Sequence, residues 1–225
     1  YTEEMLNTYL PNVMAMVPEE AWVPCKDAQG NIWALPRHET FTAGGVPSIR
    51  TDWLEKLGMK MPTTLAELEQ YFEGVKTTDV NGNGDPNDEY GYIPYFQSLF
   101  SGPLHVYYLG TKGDCNDVDR FLDEDGTVKP WYMHKNAWAL VSKAAEWYQK
   151  GYINQDYLTM TNETANDMGA TDRIGMCSGW YNMGLQGTER LVAANPDSTC
   201  SWAAIPNFTD AVSGVNAWGG NPVYM

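Results

Sequence analysis

Arg50-Thr51-Asp52-Trp53-Leu54-Glu55-Lys56-Leu57-Gly58 and, three residues on, Pro62-Thr63-Thr64-Leu65-Ala66-Glu67-Leu68 are the most legible part of this 225-residue chain. The first phrase reads as a short helix over 51–57, with Gly58 as its C-terminal stop, because glycine alone enters left-handed backbone without cost. In the second, Thr64 and Glu67 form the S/T-x-x-E pattern in which each side chain caps the other's backbone N–H. Leu65, Leu68, Phe72 and Val75 then recur at spacings of three and four, one apolar face of a helix.

Outward from this anchor, helices and short apolar runs alternate. Tyr1–Leu10 is helix-like. Ile32–Pro36, after the turn-forming 28–31 and ended by proline, reads as a buried strand. The Gly44-Gly45 pair suits a hinge or crossover. Residues 90–95 read as a strand, 96–110 as an aromatic-rich stretch, and 114–130 as a loop or hairpin. Asn136–Gly151 is a helix with Ala137, Leu140, Val141, Ala144 and Tyr148 as its apolar stripe. A weaker helix follows at 162–171, then a strand at 173–177, a helix at 187–194 and a strand at 202–205 stopped by Pro206. This alternation predicts an α/β fold, a sheet flanked by helices on both faces.

Composition narrows the function. There are 29 acidic residues against 14 basic, a net charge of −15. Nucleic acid needs a basic footprint, and an anionic membrane surface needs the same, so both are disfavoured. Aromatics make up 13% of the chain, with nine Trp and fourteen Tyr. Such rings suit flat, partly apolar ligands such as sugars. No run of eighteen apolar residues occurs. Cys25, Cys115, Cys177 and Cys200 lack CxxC spacing, so a zinc ribbon is excluded and their redox state stays open. His38, His105 and His134 form no HxH or HExxH, and neither GxSxG, a Walker loop nor GxGxxG is present. The reading is a binding protein rather than an enzyme, with a glycosidase-type carboxylate pair as the alternative that the many acidic residues leave open.

Residues 79–89 carry the most specific local signal: Asp79, Asn81 and Asn83 at alternating positions, then Gly84, Asp85, Asn87, Asp88 and Glu89. This is the D-x-[DN]-x-[DN]-G head of a calcium loop, in which alternate oxygens converge on one hard cation and glycine makes the sharp turn. Position twelve is Tyr90, where an EF-hand has Glu, and the carboxylates come early, at Asp88 and Glu89. The expectation is a structural calcium site bracing the strand at Tyr90. The alternative is an Asn/Asp/Gly turn without metal.

Taken in order, the R-x-DWLxKLG phrase, the PTTxxEL phrase and the loop at 79–89 resemble the family 1 extracellular solute-binding proteins of ABC importers, closest to their Gram-positive lipoprotein branch. Further likenesses are Trp33-Ala34-Leu35-Pro36, the helix at 136–150 with Gly151-Tyr152-Ile153, Ile174-Gly175-Met176 running to Gly179-Trp180, Ala204-Ile205-Pro206 and Trp218-Gly219-Gly220. The resemblance implies a two-lobed periplasmic-binding-protein-like fold. It places the end of a first-lobe segment and a crossover at 1–45, the second lobe at 46–210 and a second crossover at 211–225, with further parts of both lobes beyond the chain. It implies a carbohydrate, an oligosaccharide, bound between lobes by Trp180, Tyr181, Tyr95, Phe96 and Trp218 and delivered to permease subunits. It also implies a lipid-anchored, extracellular location. Arg50 would brace the crossover or touch ligand; Trp53 would lie in the core. A non-sugar ligand (peptide, polyol or uronate) on the same fold, and a calcium-braced cell-surface scaffold or adhesion module, are the competing readings.

Overall fold

A computed structural model of the chain describes residues 1–36, 47–94, 102–110, 120–178 and 183–214. Two compact units emerge, Tyr1–Thr42 with Gly220–Met225, and Ala43–Gly219.

The smaller unit begins with α1 (Glu3–Tyr9), whose N-cap Thr2 accepts a hydrogen bond from the Met5 N–H. A second helix, α2 (Pro11–Met16), and a 3-10 turn (Glu19–Cys25) follow. Leu6, Trp22 and Ile32 form its small core. The buried strand expected at Ile32–Pro36 is absent. Ile32 makes only an isolated bridge to Lys26. Trp33 is 74% exposed, its indole N–H donating to the Asp27 carboxylate at 2.7 Å. Among the described residues no strand pairs with this run, and a local Asx turn at Asp27 sets its conformation instead.

The larger unit is built on a four-stranded sheet in the order β2-β5-β1-β6. Its strands are β1 (Ser48–Arg50), β2 (Ile93–Pro94), β5 (Met176–Ser178) and β6 (Trp202–Ala204). Strands β2 and β5 run parallel, whereas β1 lies antiparallel to both β5 and β6. Alternation along each strand sends neighbours to opposite faces. Tyr92 and Met176 accordingly join the main core while Ile93 and Cys177 join a second, smaller one. Helices α3 (Thr51–Lys56), α4 (Leu65–Thr77) and α6 (Ala137–Gln149) supply Trp53, Phe72 and Trp147 to the first. Helix α7 (Asn162–Ala170) supplies Ala165 to the second. Both faces are covered, and the molecule is the expected α/β arrangement.

The capping box at Thr64 and Glu67 is formed in full. Phe72 meets the Trp147 ring edge-on at 5.1 Å and stacks on Tyr92 at 6.3 Å, geometries that suit the ring quadrupole. On α6 the fully buried aromatic is Trp147, with Tyr148 only partly covered. The Trp147 indole N–H donates to Glu69 at 2.7 Å, which allows so large a polar ring to be buried. Helix α5 (Pro103–Leu109) ends at Gly110, and the hairpin expected within 114–130 is β3 (Arg120–Leu122) with β4 (Val128–Pro130). Helix α8 (Met183–Ala194) begins four residues before the expected start and crosses α7 where Gly187 and Gly169 meet. Among the described residues Cys25 and Cys200 are free thiols; Cys115 lies outside them.

Candidate functional site

The loop at 79–89 is a ladder of side-chain-to-backbone turns. The Asp79 carboxylate accepts N–H bonds from Gly82 (2.8 Å), Asn83 (3.1 Å) and Gly84 (2.9 Å). Asn81 Oδ1 accepts from the Asn83 N–H at 2.9 Å, and Asn83 Oδ1 from the Asp85 N–H at 2.8 Å. Asp85 repeats the pattern with the Asn87 N–H at 3.1 Å. Gly82 and Gly84 take positive φ, as the tight winding requires. The oxygens expected from the sequence are thus drawn into one loop by local chemistry.

The far end closes on the start. Asn81 Nδ2 and Asn83 Nδ2 donate to the two Asp88 oxygens at 3.4 and 3.1 Å. Glu89 Oε1 accepts the Asn81 N–H at 3.2 Å. Glu89 is 5% exposed, and its Oε2 is buried without a hydrogen-bond partner. Burial, reinforced by the charges of Asp88 and Asp79, pushes the Glu89 carboxyl above its ordinary range. A buried, orphaned carboxylate oxygen among other carboxylates is what a cation would relieve. Yet no group of three His, Cys, Asp or Glu side chains is gathered as a metal-binding cluster among the described residues. Asp79 and Asp88 are turned instead to N–H donors. The donor set, mixing carboxylate and amide oxygens, suits a hard cation such as calcium.

The loop is tied to the sheet. Asn81 Nδ2 also donates to the Asp172 carbonyl at 3.1 Å, and Arg173 Nε donates to the Asp88 carbonyl at 2.8 Å. Lys56 donates to the Val80 carbonyl at 2.8 Å. Tyr90 then pairs with Ile174, so the loop delivers the chain directly into the strand that the sequence placed there.

Asp172 carries a second load. It is the non-glycine residue with positive φ among the described residues, at 60°, and its carboxylate pairs with Arg50. Arg50 is 2% exposed and makes a fork to Asp52, Nε to Oδ1 at 2.7 Å and Nη2 to Oδ2 at 2.6 Å. Its guanidinium lies 4.6 Å from the Trp53 ring centre and 5.6 Å from that of Trp202. Burial opposes its charge, but the Asp52 bonds and the Asp172 charge outweigh that and its pKa rises. Of the two roles open to Arg50, the structure shows a buried brace. Asp172 as partner of Arg50 is not legible in local pattern, because the two lie 122 positions apart.

Tyr95, Phe96, Trp180, Tyr181 and Trp218, the expected ligand-facing residues, lie outside the described residues. Their neighbours Pro94 and Ser178 are described, and pair side by side at the C-terminal ends of β2 and β5. Open α/β sheets place ligands beyond such ends.

No known family's sequence profile matches the chain. Two curated proteins do. Over 200 residues, 83% of this chain, it is 29% identical to the fructooligosaccharide ABC transporter substrate-binding protein FusA of Streptococcus pneumoniae. Over 130 residues, 57% of this chain, it is 29% identical to Lipoprotein LipO of Bacillus subtilis. These matches take in 36% and 25% of the relatives' own lengths. Among solved structures, an HMO-binding, ABC-transporter-associated solute-binding protein of Bifidobacterium longum infantis superposes with a TM-score of 0.71 at 21% identity, over 98% of this chain and 46% of that one. An EF-hand mutant of FusA in complex with fructo-nystose superposes at 0.67 and 20% identity, over 98% of this chain and 45% of that one. FusA and the Bifidobacterium protein are named as ABC-transporter substrate- or solute-binding proteins. In sequence likeness and in architecture, the chain has the fold of the solute-binding proteins of ABC importers.

Proposed function

We propose that this chain is part of the extracellular substrate-binding component of an ABC importer and takes a carbohydrate, an oligosaccharide, between two lobes for delivery to the permease. The observation that carries this is the likeness to FusA over 83% of the chain, joined to the matching α/β architecture. Trp180, Tyr181, Tyr95, Phe96 and Trp218 would present ring faces to the sugar. For the first four, their place in the sequence just past β2 and β5 supports that role. A lipid anchor on a Gram-positive surface goes with this reading, in keeping with the lipoprotein relative.

In the same reading the loop holds structural calcium through oxygens of Asp79, Asn81, Asn83, Asp85, Asn87, Asp88 and Glu89. The cation supplies positive charge that compensates this carboxylate cluster. Asp79 and Glu89 organise the loop, and Arg173 and Asp172 transmit its position to the strand leading to Ser178. The orphaned Glu89 oxygen supports this.

The test is a melting series on the full-length protein against a panel of oligosaccharides, with and without calcium. A ligand at a hundred times its dissociation constant adds about 2.7 kcal/mol, a shift of about 5–10 °C for a unit this size. A shift confined to one glycan class supports the importer reading. A calcium response without any sugar response favours a non-sugar ligand or the surface-scaffold reading.

A further inference from the structure

Away from the sheet's C-terminal edge, a cavity of about 400 Å³ opens in the larger unit between Tyr90, Asn154, Asp156, Met160, Met168 and Arg173. It sits at the opposite end of β2 and β5 from Pro94 and Ser178, because Tyr90 and Arg173 precede those strands and pair there. It is therefore separate from the expected interlobe cleft.

Its chemistry is uneven in an informative way. Asn154 is 4% exposed, and its amide is only half used. Nδ2 contacts the Met160 sulfur at 3.5 Å, while Oδ1 is buried with no hydrogen-bond partner. A buried amide acceptor left unmade costs about 1–3 kcal/mol, so the wall is short of one donor. Asp156, exposed at the rim, offers a second acceptor. Met160, Met168 and Tyr90 belong to the small core's apolar fringe and form the floor. Arg173 spans the remaining side, its guanidinium 5.8 Å from the Tyr90 ring centre.

We infer that this cavity is a binding site for a small, neutral, polyhydroxylated molecule about the size of one sugar ring. Hydroxyls donate to Asn154 Oδ1 and Asp156, and the C–H face lies on the thioether and Tyr90 floor. An anion is disfavoured because the Arg173 charge is already met by Asp88 at 3.3 Å. A cation is disfavoured because the Arg173 guanidinium itself lines the cavity. The inference is independent of the importer reading, since it uses neither the cleft aromatics nor the metal.

Amide chemical shifts of the full chain, followed on titration with glucose and with myo-inositol, test it. The expected result is saturable shifts confined to 154–168, 173 and Tyr90, weakened at least about tenfold in Asp156→Ala. Asp156 is exposed and among the described residues it accepts from Thr159 through its backbone carbonyl, not its carboxylate, so that variant leaves the fold intact. A second variant, Asn154→Leu, keeps the shape and deletes the unpaired acceptor; a folded Asn154→Leu protein without saturable shifts supports the site, and unchanged shifts in it overturn the site. Saturable shifts at these residues with putrescine or glycine but with neither polyol overturn the ligand class. Absence of shifts there, or equal shifts in Asp156→Ala, overturns the site. Shifts confined to residues near Pro94 and Ser178 would report the cleft and would likewise refute it.

Discussion

Arg50→Met is the perturbation that most directly tests how the larger unit is held together. Methionine keeps most of the volume and the apolar stem but removes the charge. Asp52, 7% exposed in its side chain, then loses both arms of its fork. It keeps only the Ser201 N–H at 3.3 Å. Removing one partner of a buried ion pair costs about 3–5 kcal/mol, because the other charge stays buried. Loss of the contacts to Trp53 and Trp202 adds about 0.5–2 kcal/mol. The surviving Ser201 bond and the partial exposure of Asp172 pull the other way. The expected net loss is therefore about 3–5 kcal/mol, read from urea unfolding of the full chain by tryptophan fluorescence. The double variant Arg50→Met/Asp52→Leu removes the stranded carboxylate and should recover more than half of it. A loss under about 1 kcal/mol in Arg50→Met would refute the reasoning, since it would mean that water reaches the guanidinium site freely.

Three further outcomes follow. Gly187→Ala puts a Cβ 2.9 Å from the Gly169 Cα, so α7 and α8 must part. The strain of about 1–3 kcal/mol exceeds the helix-propensity gain of about 0.5–1 kcal/mol, and the urea midpoint should fall. Glu89→Gln should shrink the calcium-induced rise in melting temperature while leaving the calcium-free protein as stable or more so, because the buried charge is gone; an unchanged calcium response would exclude Glu89 from the site. Tyr71, Tyr107 and Tyr152 all have phenols raised by burial, the last two to about 12. The unfolded chain releases these protons first, so stability holds below pH 10 and falls between there and about 12. Urea midpoints measured across that range, alongside tyrosinate absorbance, check the sign.

The parts legible in the sequence were those specified within a few residues. The box at Thr64 and Glu67, the stop at Gly58 and the oxygen ladder from Asp79 to Asp85 each close on themselves within a turn or two. What depends on distant partners did not show. The direction of β1 is set by β5 and β6, more than 120 residues away. Trp147 enters the core because Glu69 takes its N–H, and Trp33 stays outside with its N–H on the Asp27 carboxylate. For the loop, residue types announced a cation's donor set. The burial of Glu89, which gives that set its force, is a property of the sheet beneath it.

The central position of β1 also has a temporal cost. Residues 48–50 leave the ribosome long before either of their partners, at 176–178 and 202–204. At translation rates of about 5–20 residues per second, that strand waits about 6–26 seconds with both edges unpaired, and longer still for β6. Nascent-chain arrest before residue 204 should therefore yield a species that holdase chaperones bind and proteases cut near Ile49, and release of the full chain should abolish both.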